Sequence, residues 1–355
     1  MKGLFMRQLI IGDRIITDDS DPFIIAEIGS NHCGDFELAK QMIVKAAECG
    51  ADAVKFQKRD NETMFTKIML QMPYNNDFSV APTYGEHRQK LDWFGEKEFK
   101  ELQELAEKHG ILMFATPFEE KSADFLRKLN MPLYKIASCD VTNIPLIKYV
   151  AEFGKPILIS IGGAQEKDID RVYQTINKFH DNFAFLHCVA TYPNRDEDLN
   201  LAYIGRLRER YPDIMIGFSS HHSGLDPVKE AYFLGARIFE VHFTLNRGFR
   251  GTDHGFSLEP NGLAKLCEDL RRIKKRLGKP ERIILEDERK GFCHKMGKAI
   301  HIARPIHKGK EIEPEDIIIK APADGLPPYE EEKVIGKIAI SDLSTADTLT
   351  WEDLK

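Results

Sequence analysis

A chain of 355 residues, 42% hydrophobic and 30% charged, has the make-up of a globular protein and room for one large and one small domain. Its net charge of −6 argues against a nucleic-acid partner, which a basic surplus would betray. No run of about 18 apolar residues offers a membrane span, the first residues lack a signal-peptide core, and the scattered cysteines show no zinc-type spacing, so reduced thiols in a cytoplasmic protein are expected.

Along the chain, short apolar runs recur at Phe23–Gly29, Ala53–Gln57, Leu112–Thr116, Leu133–Ser138, Pro156–Gly162, Phe183–Val189, Met215–Ser219 and Phe239–Leu245. Each has the character of a buried parallel strand. Amphipathic stretches lie between them. Phe36, Ala39, Ile43, Ala46 and Ala47 make one stripe, opened by Asp35 and closed by Gly50. Phe99, Leu102, Leu105 and Ala106 make another within Glu96–His109, and Pro145–Phe153 fits the same scheme before Gly154. Strand–helix alternation of this kind over about 250 residues predicts an α/β fold, a (β/α)8 TIM barrel, spanning residues 1–280. An open doubly wound sheet ranks second, because no Gly-x-Gly-x-x-Gly follows the first strand. The long segment Lys58–Trp93 interrupts the rhythm on the catalytic face, as a candidate lid or pocket wall. After a linker at 281–295, residues 296–355 read as a small β-rich domain with pieces at Ala299–Ala303, Ile317–Lys320 and Lys337–Ile340.

In a barrel the strand C-termini face the active site. Here they carry Glu27, then Lys55 and Gln57, Thr116, Lys135 with Ser138 and Asp140, Ser160, His187 and Tyr192, Ser219 with His221, and Glu240 with His242, followed by Asp253. Polar residues at every strand end describe a large, cation-rich pocket. Lys55 and Lys135 together suit a phosphate, whereas either lysine alone would as readily be a solvated or ion-paired side chain. His221 and His242 end neighbouring strands and can converge on one metal ion, with Glu27 and Asp253 nearby. Histidines 87, 109, 180, 294, 301 and 307 read as structural or surface groups, and His222 and His254 are left without a role.

These residues sit in recognisable phrases. Ala26–Asp35 followed by Ala51–Gln57 closely resembles the N-acetylneuraminate (sialic acid) synthase family. So do Ala115–Phe118, Tyr134–Ser138, His187–Pro193, Gly217–His221, Val241–Thr244, Gly251–His254 and Ser257–Pro260. The final domain resembles the antifreeze-like (SAF, β-clip) domain of the same enzymes. The resemblance implies metal-dependent condensation of phosphoenolpyruvate with an N-acetylmannosamine-type sugar, its 6-phosphate or a 2,4-diacetamido hexose. With water, this gives a nine-carbon 2-keto-3-deoxy acid and phosphate. It implies a divalent metal, Mn2+ or Mg2+, on His221 and His242. Phosphoenolpyruvate would lie on Lys55, Thr116, Lys135, Ser138, Ser160 and Ser219. Gln57, Tyr192 and Asp253 would face the sugar. Proton transfer would fall to Glu27, shared with Asp140, in a domain-swapped homodimer. The pattern departs from the family at Ala190, Cys139, Ser220 and Ala321, which opens the identity of the sugar more than the reaction type. Two other readings compete. One is a class I aldolase using Lys135 as a Schiff base; the other is an inactive, sugar-binding homologue.

Overall fold

The computed structural model describes residues 7–355, which form two compact units divided between Gly278 and Lys279. The first begins with an antiparallel hairpin, β1 (Gln8–Ile11) and β2 (Arg14–Thr17). Eight parallel strands then close a barrel: β3 (Phe23–Gly29), β4 (Ala53–Lys58), β5 (Leu112–Pro117), β6 (Tyr134–Ile136), β7 (Ile157–Ser160), β8 (Phe183–Cys188), β9 (Met215–Ser220) and β10 (Ile238–His242). Each pairs with its chain neighbours, and β10 returns to β3 with His242 opposite Glu27. The predicted TIM barrel is therefore the observed fold.

Helices cover the outside. They are α1 (Phe36–Glu48), three short pieces α2 (Asn61–Met64), α3 (Lys67–Gln71) and α4 (Tyr84–Leu91), then α5 (Glu96–Lys108), α6 (Glu120–Lys128), α7 (Ile144–Ala151), α8 (Glu166–Ile176), α9 (Tyr203–Arg210), α10 (Asp226–Phe233) and α11 (Pro260–Leu277). The expected stripe on α1 packs inward through Ala39, Met42, Ile43 and Ala46, and the Asp35 carboxylate caps the helix by accepting from Leu38 N–H.

Alternation along the strands sorts side chains into two layers. One parity points outward to the helices: Ile24, Ala26 and Ile28 of β3, Val54 and Phe56 of β4, Ile157 and Ile159 of β7. The other points into the barrel, and there every strand begins apolar. Phe23, Ile25, Ala53, Phe114, Leu158, Ala184, Leu186, Met215 and Ile238 fill the lower interior, which Leu9, Ile11 and Ile16 of the hairpin close from below. Gly217 must be glycine in this interior, since a Cβ would stand 2.4 Å from Ile238 O. The same inward parity turns polar towards the strand C-termini, and that switch makes the site.

The segment between β4 and α5 lies folded against the barrel. Thr83 and Glu86 form a capping box for α4. Asp92 receives Arg59 at 3.1 Å and Arg88 at 2.5 Å, Trp93 Nε1 donates to Gly34 O at 2.7 Å, and Arg250 Nε donates to Asp77 O. Gly34 has φ +75° and a Cβ there would meet Lys90 O at 2.1 Å, so the two segments touch backbone to backbone.

The second unit contains α12 (Glu286–Lys290) and α13 (Phe292–Met296), so the stretch expected as a plain linker is partly helical. Its sheet is β11 (Ala299–Ile302) against β12 (Ile317–Lys320). The expected piece Lys337–Ile340 makes only single bridges, Ile338 to Glu311 and Ala339 to Leu354. Ile300, Ile302, Ile306, Ile312, Val334 and Leu349 form the core. Beside it Asp316 is fully buried and accepts from Arg304 Nε and Lys310 Nζ, both at 2.5 Å. Among the described residues no helix is long and apolar enough to cross a membrane.

Candidate active site

The polar ends of the inward-facing parity meet around one cavity of about 440 Å3 at the C-terminal mouth of the barrel. Register brings them together: Glu27 is opposite Lys55, Gln57 opposite Thr116, and Ser219 opposite both Glu240 and Cys188. Lys55 is the hub. Its Nζ lies 2.8 Å from Glu27 Oε2, 3.1 Å from Thr116 Oγ1 and 3.7 Å from Glu240 Oε1. Lys135 Nζ donates to Ile136 O at 2.9 Å and stands 4.0 Å from Glu240 Oε2. Ser219 Oγ donates to Glu240 at 3.3 Å, and Gln57 Nε2 donates to Glu27 Oε1 at 2.8 Å. Ser138 Oγ accepts from Gly162 N–H at 3.1 Å, while Ser160 Oγ is buried without a hydrogen-bond partner.

Burial and mutual charge separate these groups. Burial pushes the Glu27 carboxyl up, and Lys55 offsets only part of that. Burial also opposes ionisation of Glu240, but Lys135 and Lys55 outweigh it and hold this carboxyl below its ordinary range. Burial would lower Lys55, yet Glu240 and Glu27 raise it; Lys135, less well compensated, is lowered by burial. Two carboxylates that share the Lys55 ammonium are thus driven in opposite directions.

The far wall is aromatic. The Tyr192 ring lies 4.1 Å from that of His221, His221 and His242 are 5.2 Å apart, and Phe256 packs 4.9 Å from His242, all between ring centroids. His221 Nδ1 donates to Val189 O at 2.9 Å, which leaves Nε2 as a lone pair, and burial holds the ring neutral with a pKa near 3. His242 Nδ1 is buried without a hydrogen-bond partner, 3.6 Å from Asp253 Oδ2. Two imidazoles on neighbouring strand ends, 5.2 Å apart between ring centroids, are a pair of ligand types that suits a divalent cation with open positions, although no cluster of three such ligands is assembled among the described residues.

A family model described as the NeuB family matches residues 42–282, and one described as the SAF domain matches residues 297–355. The chain belongs to the NeuB family. It is 38% identical over 332 residues to the N-acetylneuraminate-9-phosphate synthase of Homo sapiens, covering 93% of this chain and 92% of that protein. It is 32% identical to the N,N'-diacetyllegionaminic acid synthase of Legionella pneumophila, covering 94% of each. Among solved structures it resembles the N-acetylneuraminic acid (sialic acid) synthetase of Leptospira borgpetersenii, crystallised with citrate. That match has a TM-score of 0.71 and 34% identity over 80% of this chain and 95% of that one.

In this NeuB-family barrel Glu27, Lys55, Gln57, Thr116, Lys135, Ser138, Ser160, Tyr192, Ser219, His221, His242 and Asp253 all line the cavity. Asp140 does not. It sits in the turn after β6, where Asn143 Nδ2 donates to it at 3.1 Å, and its neighbour Cys139 takes the place on the wall. Of the segment Lys58–Trp93 no side chain lines the cavity itself; Arg59 reaches it only through Gln57, to whose Oε1 its Nη2 donates. Glu240, noted at a strand end but given no role, is the central anion of the site. Its signal was available: it lies two residues before His242, on the same face of β10. Cys188 and Phe118 also line the cavity and carried no comparable signal.

Proposed function

We propose that the protein is a nonulosonic acid synthase that condenses phosphoenolpyruvate with an acetamido-sugar aldehyde, releasing phosphate and a nine-carbon 2-keto-3-deoxy acid. The observation that carries this reading is the division of one cavity into two halves. One half holds two lysines and four hydroxyls; the other holds a histidine pair beneath an aromatic wall. Names of relatives at 38% and 32% identity agree with it.

Lys55 and Lys135 face the phosphate and carboxylate of phosphoenolpyruvate, with Thr116, Ser138, Ser160 and Ser219 as hydroxyl partners. Glu240 stays ionised and anchors both ammonium groups. Glu27, the carboxyl driven upwards, carries the proton exchanged between the sugar oxygen and water. Gln57 orients Glu27, and Tyr192 and Asp253 contact the sugar. His221 and His242 would hold a manganese or magnesium ion, which when bound acts as a Lewis acid on the sugar carbonyl. Lys135 is lowered by burial, as a Schiff-base lysine must be. However, its hydrogen bond to Ile136 O and its place beside Glu240 suit an anion-binding ammonium better. Six free cysteines fit a reducing, cytoplasmic setting. Exposed Phe292, Ile318, Ile319 and Trp351 on the second unit fit a homodimer.

The test is phosphate release from phosphoenolpyruvate with N-acetylmannosamine, its 6-phosphate and 2,4-diacetamido hexoses, each with manganese and with chelator. Chelator-sensitive release with one sugar is expected and names the acceptor. Trapping of a pyruvate adduct on Lys135 by borohydride, with no phosphate released, would replace this reading by the aldolase one.

A further inference from the structure

The rim of the barrel carries a thiol and a base that the condensation leaves unused. Cys33, in the turn after β3, is exposed, and its Sγ lies 3.3 Å from Nε2 of His254. His254 is only 1% exposed, and its other nitrogen, Nδ1, is 2.7 Å from Thr244 Oγ1. The Thr244 hydroxyl has one proton, which goes to Asn246 O at 3.1 Å, while the same oxygen accepts from Asn246 N–H at 3.2 Å. With that proton kept on Asn246 O, the tautomer that completes the set has His254 Nδ1 donating to Thr244. Its Nε2 carries the lone pair and aims it at the thiol, its only partner among the described residues. Thiol, imidazole and orienting hydroxyl stand in the order found in base-activated nucleophiles.

We propose that Cys33 is an oxidation-sensitive modification site whose reactant is a hydroperoxide and whose base is His254. Sulfur attacks one peroxide oxygen as the thiol proton passes to His254 Nε2. The O–O bond breaks and an S–O bond forms. The departing alkoxide, or hydroxide when the reactant is hydrogen peroxide, takes the proton back from the imidazolium and leaves as the alcohol or water, and Cys33 becomes a sulfenic acid. The resting pair is neutral. Burial and the Asp35 carboxylate hold the thiol above its ordinary range, and burial holds His254 below its own. Cys139 is also exposed, but its sulfur lies 3.6 Å from the Asp140 carboxylate, which discourages ionisation and supplies no comparable base.

The modification reaches the cavity through the chain itself. Asp253 precedes His254 and lines the cavity 3.6 Å from His242. The His254 ring has little room, since a Cβ on Gly251 would stand 2.7 Å from its Cδ2. An oxygen added between sulfur and Nε2 therefore moves the ring and shifts residues 251–254.

Peroxide treatment of the full chain, dimedone capture and peptide mass mapping test the site without any assay of catalysis. Cys33 is expected to label at least tenfold faster than Cys139 or Cys293. His254→Gln should slow Cys33 at least tenfold while leaving Cys293 unchanged. Equal rates for the three cysteines in the unmodified sequence overturn the proposal, and that comparison needs no variant to fold. Unchanged Cys33 labelling in folded His254→Gln does the same. The link to the cavity rests on the proposed synthase reaction and is read separately. Phosphate release should fall on peroxide treatment, return with dithiothreitol, and resist peroxide in Cys33→Ser. Equal peroxide sensitivity in Cys33→Ser overturns the link, whereas absence of phosphate release before treatment counts against the synthase reading alone.

Discussion

At the scale of single residues, the site holds buried polar groups that find no partner within the protein. Ser160 Oγ is the clearest, a buried hydroxyl with no hydrogen-bond partner in the protein, in a cavity lined by Lys55 and Lys135. Such a group costs the free protein about 1 kcal/mol or more and repays it on binding. Ser160→Ala should therefore raise thermal stability slightly, by up to about 1 kcal/mol, and lower kcat/KM for phosphoenolpyruvate roughly ten- to hundredfold. Calorimetry and steady-state kinetics on the same variant check both signs, and a loss of stability would mean that Ser160 is a packing residue. Single residues also mark where sequence reading ran out. Asp140 comes two residues after Ser138 beyond the fourth strand, and the turn after β6 gives the wall to Ser138 and Cys139 instead. Glu240 was overshadowed by the histidine two places on, although strand alternation gives both the same direction.

At the scale of elements, the strands were legible because each is a continuous apolar run bounded by turn residues, and a parallel strand buried on both faces can hardly be anything else. Strand β6 is shorter than its run, ending at Ile136 before Ser138, because pairing stops where the chain turns. The hairpin of β1 and β2 was missed. Its strands are four residues each, with Ile10 and Ile15 exposed, so neither period stands out. Its contribution becomes visible only when the barrel is closed and the lower interior needs a floor. Ile16, fully buried there with Leu9 and Ile11, should cost about 2–4 kcal/mol when changed to alanine, as a cavity in a tight core does. Because it packs in the apolar layer below the site, KM for either substrate should stay within about twofold, a limit set by loss of stability alone. A large KM change in Ile16→Ala would show that the floor and the cavity are mechanically coupled.

At the scale of the whole molecule, the two units differ in what holds them. The barrel relies on a large apolar shell, whereas the smaller unit adds a buried carboxylate, Asp316, held by Arg304 and Lys310 with a pKa of about 2. Its folded pKa lies below the ordinary carboxylate value. The stabilisation is thus complete above about pH 4 and fades as pH falls towards 2, amounting to about 2 kcal/mol. Trp351 lies in this unit and the only other tryptophan is Trp93, so Trp93→Phe makes fluorescence report the small unit alone. In that background Asp316→Asn should lower the unfolding midpoint at pH 7 and flatten its dependence between pH 4 and 2; an unchanged slope would mean that another group titrates. The insertion of residues 59–93 has a separate consequence. It is fastened through Asp92, Trp93 and the backbone contact at Gly34, and it adds no side chain to the cavity. With these ties in place we expect turnover in the proposed reaction not to wait on opening of this segment. Solvent viscosity should act only through ordinary diffusion of the reactants.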